Sequence, residues 1–531
     1  MSLVSTPLGS VRGTRQILEG RPVHSFTGVP YAGSPAGQRR FLPPVPLRPW
    51  EGVRDCTAPG AMAPQNPDDF TPPSAGFATL WDEAACLNLN IWTPAPDGAG
   101  RPVMVWIHGG AYVTGSNNGS MHNGGPLAAE TDVVVVAINY RLGALGFLHL
   151  PQLLGPGFED SSNAGLLDQV AALRWVAGNI AAFGGDPANV TVFGESAGAA
   201  AIGTLLGMPA SDGLFRRAIM QSGTAERFRT PAGSAEVTRD FLRLCGLDEA
   251  RAAELFTLPA ARLLAAQKAL IDAAAPHSFG VPLPFQPTVG TPALPEPPLD
   301  AVRNGHNSSV DLLVGTNLNE GSFAVEMRPD YPSDPPRYED RVEVVLGGYF
   351  PDPAGALPSF AAALADSLGK DPDGREQLEA CLADVQYRQP SNRLLDARQG
   401  SAGSTFSYLF TWPSPALGGK LGACHALEIP FVFRQTGNRE ARFLTGGTAP
   451  KDLSGMMSRA WAAFARAGAP EAPGMPEWPR YSVPERHTMI LDGKPGVDAD
   501  PRASLREFWL GSAAREGVQG VPDAVQRRIA Q

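Results

Sequence analysis

The sequence predicts an α/β protein built on a central, mostly parallel sheet flanked by helices, with helical and loop insertions above it. Three observations carry that expectation. Residues 103–107 (Val-Met-Val-Trp-Ile) and 133–138 (Val-Val-Val-Val-Ala-Ile) are unbroken apolar runs, and strands that do not alternate are buried on both faces, as in helix-covered parallel sheets. Between residues 165 and 183, Leu166, Leu167, Val170, Leu173, Val176 and Ile180 recur at helical spacing. A third β-branched run, Val190-Thr191-Val192-Phe193, then leads straight into Gly194-Glu195-Ser196-Ala197-Gly198. Strand, helix, strand and helix in that order is what a parallel sheet requires.

Ahead of these runs, about forty residues alternate polar and apolar positions through Val11, Val23, Phe26 and Val29, punctuated by Gly20 and Gly28. They predict antiparallel hairpins over about residues 1–40, capping one edge of the sheet. Beyond Ser196, the small residues Ala197, Ala199, Ala200 and Ala201 favour a helix. Residues 217–223 and 311–315 read as further strands, residues 405–410 and 488–491 as late ones, and residues 456–467 as a long helix carrying Met457, Trp461 and Phe464. Residues of about 225–305 and 322–400 combine helical patterns with proline-rich loops around Pro282, Pro284, Pro287 and Pro292, and are expected to be insertions above the sheet. The 531 residues contain no Gly/Ser run, charge block or internal repeat, so one domain spanning residues 1–531 is expected.

Composition narrows the function classes. Forty-three basic against 53 acidic residues give a formal charge of −10, which disfavours nucleic acid as a partner. The start has neither a basic nor an apolar signal region, and no apolar run reaches membrane-spanning length, so a cytoplasmic protein is expected. Cys56, Cys86, Cys245, Cys381 and Cys424 are odd in number and widely spaced, reading as buried free thiols rather than a disulfide framework or a zinc site. No H-E-x-x-H or Cys/His cluster occurs, and no metal or cofactor is expected.

The chemistry starts at Ser196. A strand running into Gly-x-Ser-x-Gly is the turn that exposes a serine nucleophile in α/β-hydrolases, with free helix amides facing developing negative charge. Such a serine needs a base, the base an orienting acid, and the intermediate an oxyanion hole. In this fold they follow in the chain order Ser, acid, His. Of the eight histidines, His277, His306, His425 and His487 lie after Ser196. His425 sits on a loop after the 405–410 strand, the expected address of the base, whereas His487 opens a strand and suits a structural or surface role. Glu320 follows Leu312-Leu313-Val314-Gly315-Thr316 in a turn closed by Gly321, which suits the acid, but its position alone fits a solvated loop glutamate equally well. His108-Gly109-Gly110-Ala111, after the 103–107 strand, matches an oxyanion-hole loop. The donors are expected to be the amides of Gly110, Ala111 and Ala197, with Gly109 making the bend.

With these residues the chain resembles the type-B carboxylesterase family over nearly its whole length, and is most like the bacterial para-nitrobenzyl esterases. Residues 183–198 fit the family's serine signature, and Gly28-Val29-Pro30-Tyr31-Ala32, Asn139-Tyr140-Arg141-Leu142-Gly143 and His425-Ala426-Leu427-Glu428-Ile429-Pro430-Phe431 are similar to other family segments. The resemblance implies an α/β-hydrolase fold, Glu320 as triad acid, His425 rather than His487 as base, and Glu195 and Ser222 as buried polar groups near the triad. It also shows departures. Ala84-Ala85 stands where the family has Glu-Asp before the cysteine, so Arg40, whose counterpart pairs with that glutamate, is expected to lack its partner. The cysteine that pairs with Cys86 in secreted relatives is absent, with Ala63 near its place, which suits a reducing compartment. The choline-binding tryptophan of cholinesterases has no ungapped match, since Trp81 lies only five positions before Cys86.

The resulting expectation is a cofactor-independent serine carboxylesterase acting on small to medium neutral esters through an acyl-enzyme. The alternatives are an amidase, carbamate hydrolase or thioesterase using the same triad, and, in a different class, a noncatalytic binding protein. The intact Ser, Glu and His argue against the last.

Overall fold

A computed structural model of the chain describes residues 1–67, 80–274, 283–327 and 338–513. His277, Pro282 and parts of both expected insertions lie outside the described residues. Among the described residues thirteen strands join one sheet: β1 (Ser2–Thr6), β2 (Gly9–Leu18), β3 (Arg21–Pro30), β4 (Val53–Asp55), β5 (Asn88–Thr93), β6 (Arg101–Ile107), β7 (Val134–Ile138), β8 (Gly185–Glu195), β9 (Arg217–Gln221), β10 (Asp311–Asn317), β11 (Thr405–Phe410), β12 (His487–Leu491) and β13 (Gly496–Ala499). Their spatial order is β1-β2-β3-β5-β7-β6-β8-β9-β10-β11-β12-β13, with β4 beside β2. From β7 through β12 every pairing is parallel, the β1–β2, β2–β3, β3–β5, β5–β7 and β12–β13 pairs are antiparallel, and β4 pairs parallel with β2. The expected hairpins thus form one edge of the sheet.

The unbroken apolar runs are explained by burial on both faces. Val103, Val105 and Ile107 of β6 enter one core cluster with Leu166, Val170, Leu173 and Val176 of the helix Ala164–Asn179. Met104 and Trp106, pointing the other way, enter a second cluster with Met457, Trp461 and Phe464 of the helix Lys451–Ala467. Neither face can tolerate a polar residue, so the period-two signal disappears. A third cluster, around Phe360, Leu378 and Trp509, sits among the helices Pro353–Leu368, Gly374–Ala383 and Ala503–Ala513.

Several boundaries differ from the sequence reading. β8 starts at Gly185, so Asn189 lies inside the strand, where its side-chain oxygen accepts from Arg217 Nη1. β4, β5 and β13 have no strong run of their own in the sequence reading. Glu320 opens the helix Glu320–Met327, and Gly321 is helical rather than the close of a turn. The expectation for Arg40 is corrected outright. Arg40 Nε and Nη2 donate to Glu83 Oε1 and Oε2 at 2.5 and 2.6 Å, and Arg40 Nη1 donates to the Leu258 carbonyl at 2.5 Å. The partner is preserved because Glu83, one position earlier than the motif suggests, reaches the same guanidinium.

All five cysteines are free and buried. No helix among the described residues is long and apolar enough to cross a membrane.

Candidate active site

The Gly-x-Ser-x-Gly segment forms the sharp strand-to-helix reversal that its sequence predicts. β8 ends at Glu195, Ser196 adopts φ 56° and ψ −122°, and the helix Ala197–Leu205 starts at the next residue. Holding a non-glycine residue in this region costs about 1–3 kcal/mol, which the surrounding structure must supply. It does so through the Ser196 amide, which donates to the Gln221 carbonyl of the neighbouring strand at 2.9 Å. The helix also presses directly on the end of β6: a β-carbon at Gly198 would lie 2.0 Å from the Ile107 carbonyl oxygen, so only glycine fits there.

The loop after β6 faces this turn. A β-carbon at Gly109 would lie 2.8 Å from the Glu195 carbonyl oxygen and 3.1 Å from Ser196 Cβ, so the bare backbone approaches the serine closely. Gly110 and Ala111 carry positive φ values of 107° and 56°, and among the described residues neither amide donates a hydrogen bond. The loop is held from beneath. His108 Nδ1 donates to the Gly109 carbonyl at 2.8 Å, its ring stacks on Tyr140 at 4.5 Å, and Tyr140 donates to the His108 carbonyl at 2.8 Å. Burial pushes His108 down to about 4, so its ring is neutral near pH 7.

Glu320 and His425, 105 positions apart, are brought together by pairing of their loops. The Asn319 amide donates to the Ala423 carbonyl at 2.9 Å, and the Ala423 amide donates to Asn319 Oδ1 at 3.0 Å. Glu320 is fixed at both oxygens. Oε1 accepts from the Asn317 amide at 2.7 Å, and Oε2 accepts from His425 Nδ1 at 2.6 Å. That bond leaves Nε2 as the ring nitrogen available on the other side, where it lies 3.0 Å from Glu195 Oε1. Burial works against a charged imidazole, but Glu195, Tyr387 and Glu320 outweigh it and hold His425 well above the usual histidine range. Glu195 is itself pushed up to about 8, chiefly by burial.

A profile of the carboxylesterase family matches residues 1–509. The para-nitrobenzyl esterase of Bacillus subtilis (strain 168) is 38% identical over 507 residues, spanning 95% of this chain and 98% of that protein. The phenmedipham hydrolase of Pseudarthrobacter oxydans is 34% identical over 477 residues, spanning 88% and 91%. Among solved structures, a carboxylesterase of Geobacillus stearothermophilus superposes with a TM-score of 0.83 at 33% identity, covering 96% of this chain and all of that one. The chain belongs to the carboxylesterase family. It is a carboxylic ester hydrolase on the α/β-hydrolase fold.

In this carboxylesterase the structure brings together Gly109, Glu195, Ser196, Glu320 and His425. Ser222 is fully buried in the strained turn after β9, at φ 53°, with its amide donating to the Gly315 carbonyl at 2.8 Å; its hydroxyl makes no hydrogen bond among the described residues. His487 lies at the start of β12, where its backbone pairs with Ala499.

Other contributors went unread in the sequence. Glu428, fully buried, accepts from Asn317 Nδ2 at 2.6 Å and from Gln221 Nε2 at 3.0 Å, and burial followed by the nearby Glu320 raises its carboxyl above the usual range. It ties the base of the Glu320 loop to the strand beside Ser196. Tyr387 lays its ring on His425 at 4.6 Å from within a single π-helical turn, Asp384–Arg388. Glu428 falls in a segment that resembles the family, which is a weak signal. Nothing local marks Tyr387, because its partner is 38 positions away.

Proposed function

We propose that this carboxylesterase hydrolyses small to medium uncharged carboxylic esters through an acyl-enzyme, with Ser196 as nucleophile, His425 as base and Glu320 as acid. The observation that supports the assignment is the 2.6 Å bond from His425 Nδ1 to Glu320 Oε2, which leaves Nε2 on the side of Glu195, the residue before Ser196. His425 takes the serine proton during attack and returns it to the leaving alcohol, while Glu320 stabilises the imidazolium. The amides of Gly110, Ala111 and Ala197 bind the developing oxyanion, with Gly109 making the approach possible. Water then repeats the cycle to release the acid. Glu195 and Ser222 act from the next layer, Glu195 by its carboxyl group beside Nε2. The chain works as one catalytic domain, without metal or cofactor, and its five unpaired thiols suit the cytoplasm.

Stoichiometric titration with a chromogenic organophosphate tests the reading: one equivalent bound with complete loss of esterase activity is expected. Absence of both labelling and turnover would favour a noncatalytic binding role. A second reading, carbamate hydrolysis, is supported by the phenmedipham hydrolase among the relatives. Nitrophenyl esters of graded acyl length, measured beside the matching carbamates and anilides, separate the two, with the highest kcat/KM expected for the esters.

A further inference from the structure

The loops that carry Glu320 and His425 meet along a seam, and the side chain of Asn319, the residue before Glu320, is built into it. Besides the backbone bond to the Ala423 carbonyl, Asn319 Oδ1 accepts from the Ala423 amide at 3.0 Å, and Asn319 Nδ2 donates to Glu379 Oε1 at 2.5 Å. The fit is close, since a β-carbon at Gly422, which has φ 54°, would lie 2.5 Å from Asn319 Oδ1. The two sides of this side chain have opposite needs. A backbone N–H on one side requires an acceptor and a carboxylate on the other requires a donor, which an amide supplies in one orientation only.

Glu379 belongs to the helix Gly374–Ala383 and is only 7% exposed. That helix packs directly on the start of the next catalytic element: a β-carbon at Gly321 would lie 2.2 Å from the Glu379 carbonyl oxygen. Burial, with a smaller push from Glu376, raises the Glu379 carboxyl above the usual range, while Asn319, Arg375 and Arg502 oppose that rise and favour its charge. Arg375 extends the connection. It approaches Glu379 Oε2 at 3.3 Å and donates to Glu326 Oε1 at 2.7 Å and to the Lys420 carbonyl at 2.9 Å. Glu326 lies on the helix that Glu320 opens, and Lys420 is five positions before His425. The helix Gly374–Ala383 thus reaches both loops, through Glu379 and Arg375.

We propose that Glu379 is a positioning residue for the Glu320–His425 pair: its carboxylate holds the Asn319 side-chain amide with the oxygen toward Ala423, and so keeps the two loops in register. The inference rests on the assignment of Glu320 and His425 as acid and base. With the amide turned over, Nδ2 would face the Ala423 N–H and Oδ1 would face the carboxylate. Donor would then oppose donor and acceptor oppose acceptor, and the loops would part.

The test exchanges the two groups. Asn319→Asp keeps an acceptor for the Ala423 amide but sets a carboxylate against Glu379, and should lower kcat on a nitrophenyl ester about 10- to 100-fold per organophosphate-titrated site, with KM little changed. Adding Glu379→Gln returns a donor to the opposite side, so the double variant should recover most of the lost kcat. A brace for stability alone would lower Tm and leave turnover per titrated site unchanged. That result, or a double variant no better than Asn319→Asp, would overturn the proposal. If Asn319→Asp does not fold, Glu379→Gln and Glu379→Leu decide the matter: only the second removes the acceptor, so its kcat should be clearly the lower, and equal values would overturn the proposal. Glu320→Gln, measured alongside, separates the two ways of failing. A disabled Glu320→Gln beside an unaffected Asn319→Asp would overturn the positioning role alone, whereas a harmless Glu320→Gln would overturn the acid assignment and the positioning role with it.

Discussion

Glu195 Oε1 stands 3.0 Å from His425 Nε2, on the opposite side of the imidazole from Glu320. The ring is therefore flanked by carboxylates at both nitrogens. Glu195 occupies the variable position of the Gly-x-Ser-x-Gly turn, so the strained backbone that presents Ser196 also fixes a carboxyl group beside the proposed base.

This arrangement sets the pH dependence. Since Glu195 helps to hold His425 above the usual histidine value of about 6.5, kcat/KM on a neutral ester should rise with pH along a limb whose midpoint lies above that value. Glu195→Gln should move the midpoint toward acid by about one unit, equivalent to roughly 1.4 kcal/mol of lost charge interaction. A pH–rate profile of both proteins checks this, and a midpoint that stays put or moves alkaline would contradict it. The stability sign follows as well. His425 and Glu195 both bind protons more tightly folded than unfolded, so their contribution is complete at acid pH. It fades as pH rises through about 8 for Glu195 and through the raised value of His425.

Glu320→Gln keeps the side chain's size but removes the charge that steadies the imidazolium and allows the wrong histidine tautomer. Turnover should fall on the order of 10⁴-fold, with Tm little changed. Steady-state kinetics on a nitrophenyl ester measure it, and a loss below about tenfold would place the acid elsewhere.

The Arg40–Glu83 pair should matter to stability rather than to catalysis. Glu83→Ala leaves the buried guanidinium with carbonyl partners only, and breaking such a pair typically costs about 3–5 kcal/mol. Replacing both residues by apolar ones should cost less than either single change. Urea denaturation of the two single variants and the double variant resolves the point. A cost for Glu83→Ala under about 1 kcal/mol, as at an exposed pair, would mean that the bond is incidental.

Neutral short-chain esters should show higher kcat/KM than choline esters of the same acyl group, at physiological and at high salt. The chain's charge of −10 steers cations toward it from a distance, but salt screens that effect and leaves a true cation site in place. Such a site usually needs an aromatic face within about 6 Å of the cation. A choline-ester preference that persists in high salt would refute this.

The sheet's centre was legible because burial on both faces of β6 and β7 leaves unbroken apolar runs that few other environments produce. Ser196 was legible for a related reason: a strand, a strained turn and a helix each leave a local mark, and here they adjoin. Glu320 and His425 could be narrowed by chain order, but their contact depends on pairing between Asn319 and Ala423, which no local pattern records. Arg40 was misread because a motif fixes spacing in sequence, whereas a long glutamate side chain displaced by one position still reaches the same guanidinium. Glu428 and Tyr387 act only through partners far along the chain, so their surroundings in sequence look like ordinary helix.

The most direct test of the shared triad is a double-mutant cycle on esterase kcat/KM with Ser196→Ala and His425→Ala. Each single change should reduce activity by several orders of magnitude, leaving the residue that the oxyanion hole and binding provide, and the second change should add little to the first. His487→Ala, run alongside, should remain close to the unmodified enzyme. Independent, multiplying losses from the two changes, or near-normal turnover by purified Ser196→Ala, would contradict a single Ser196–His425–Glu320 unit.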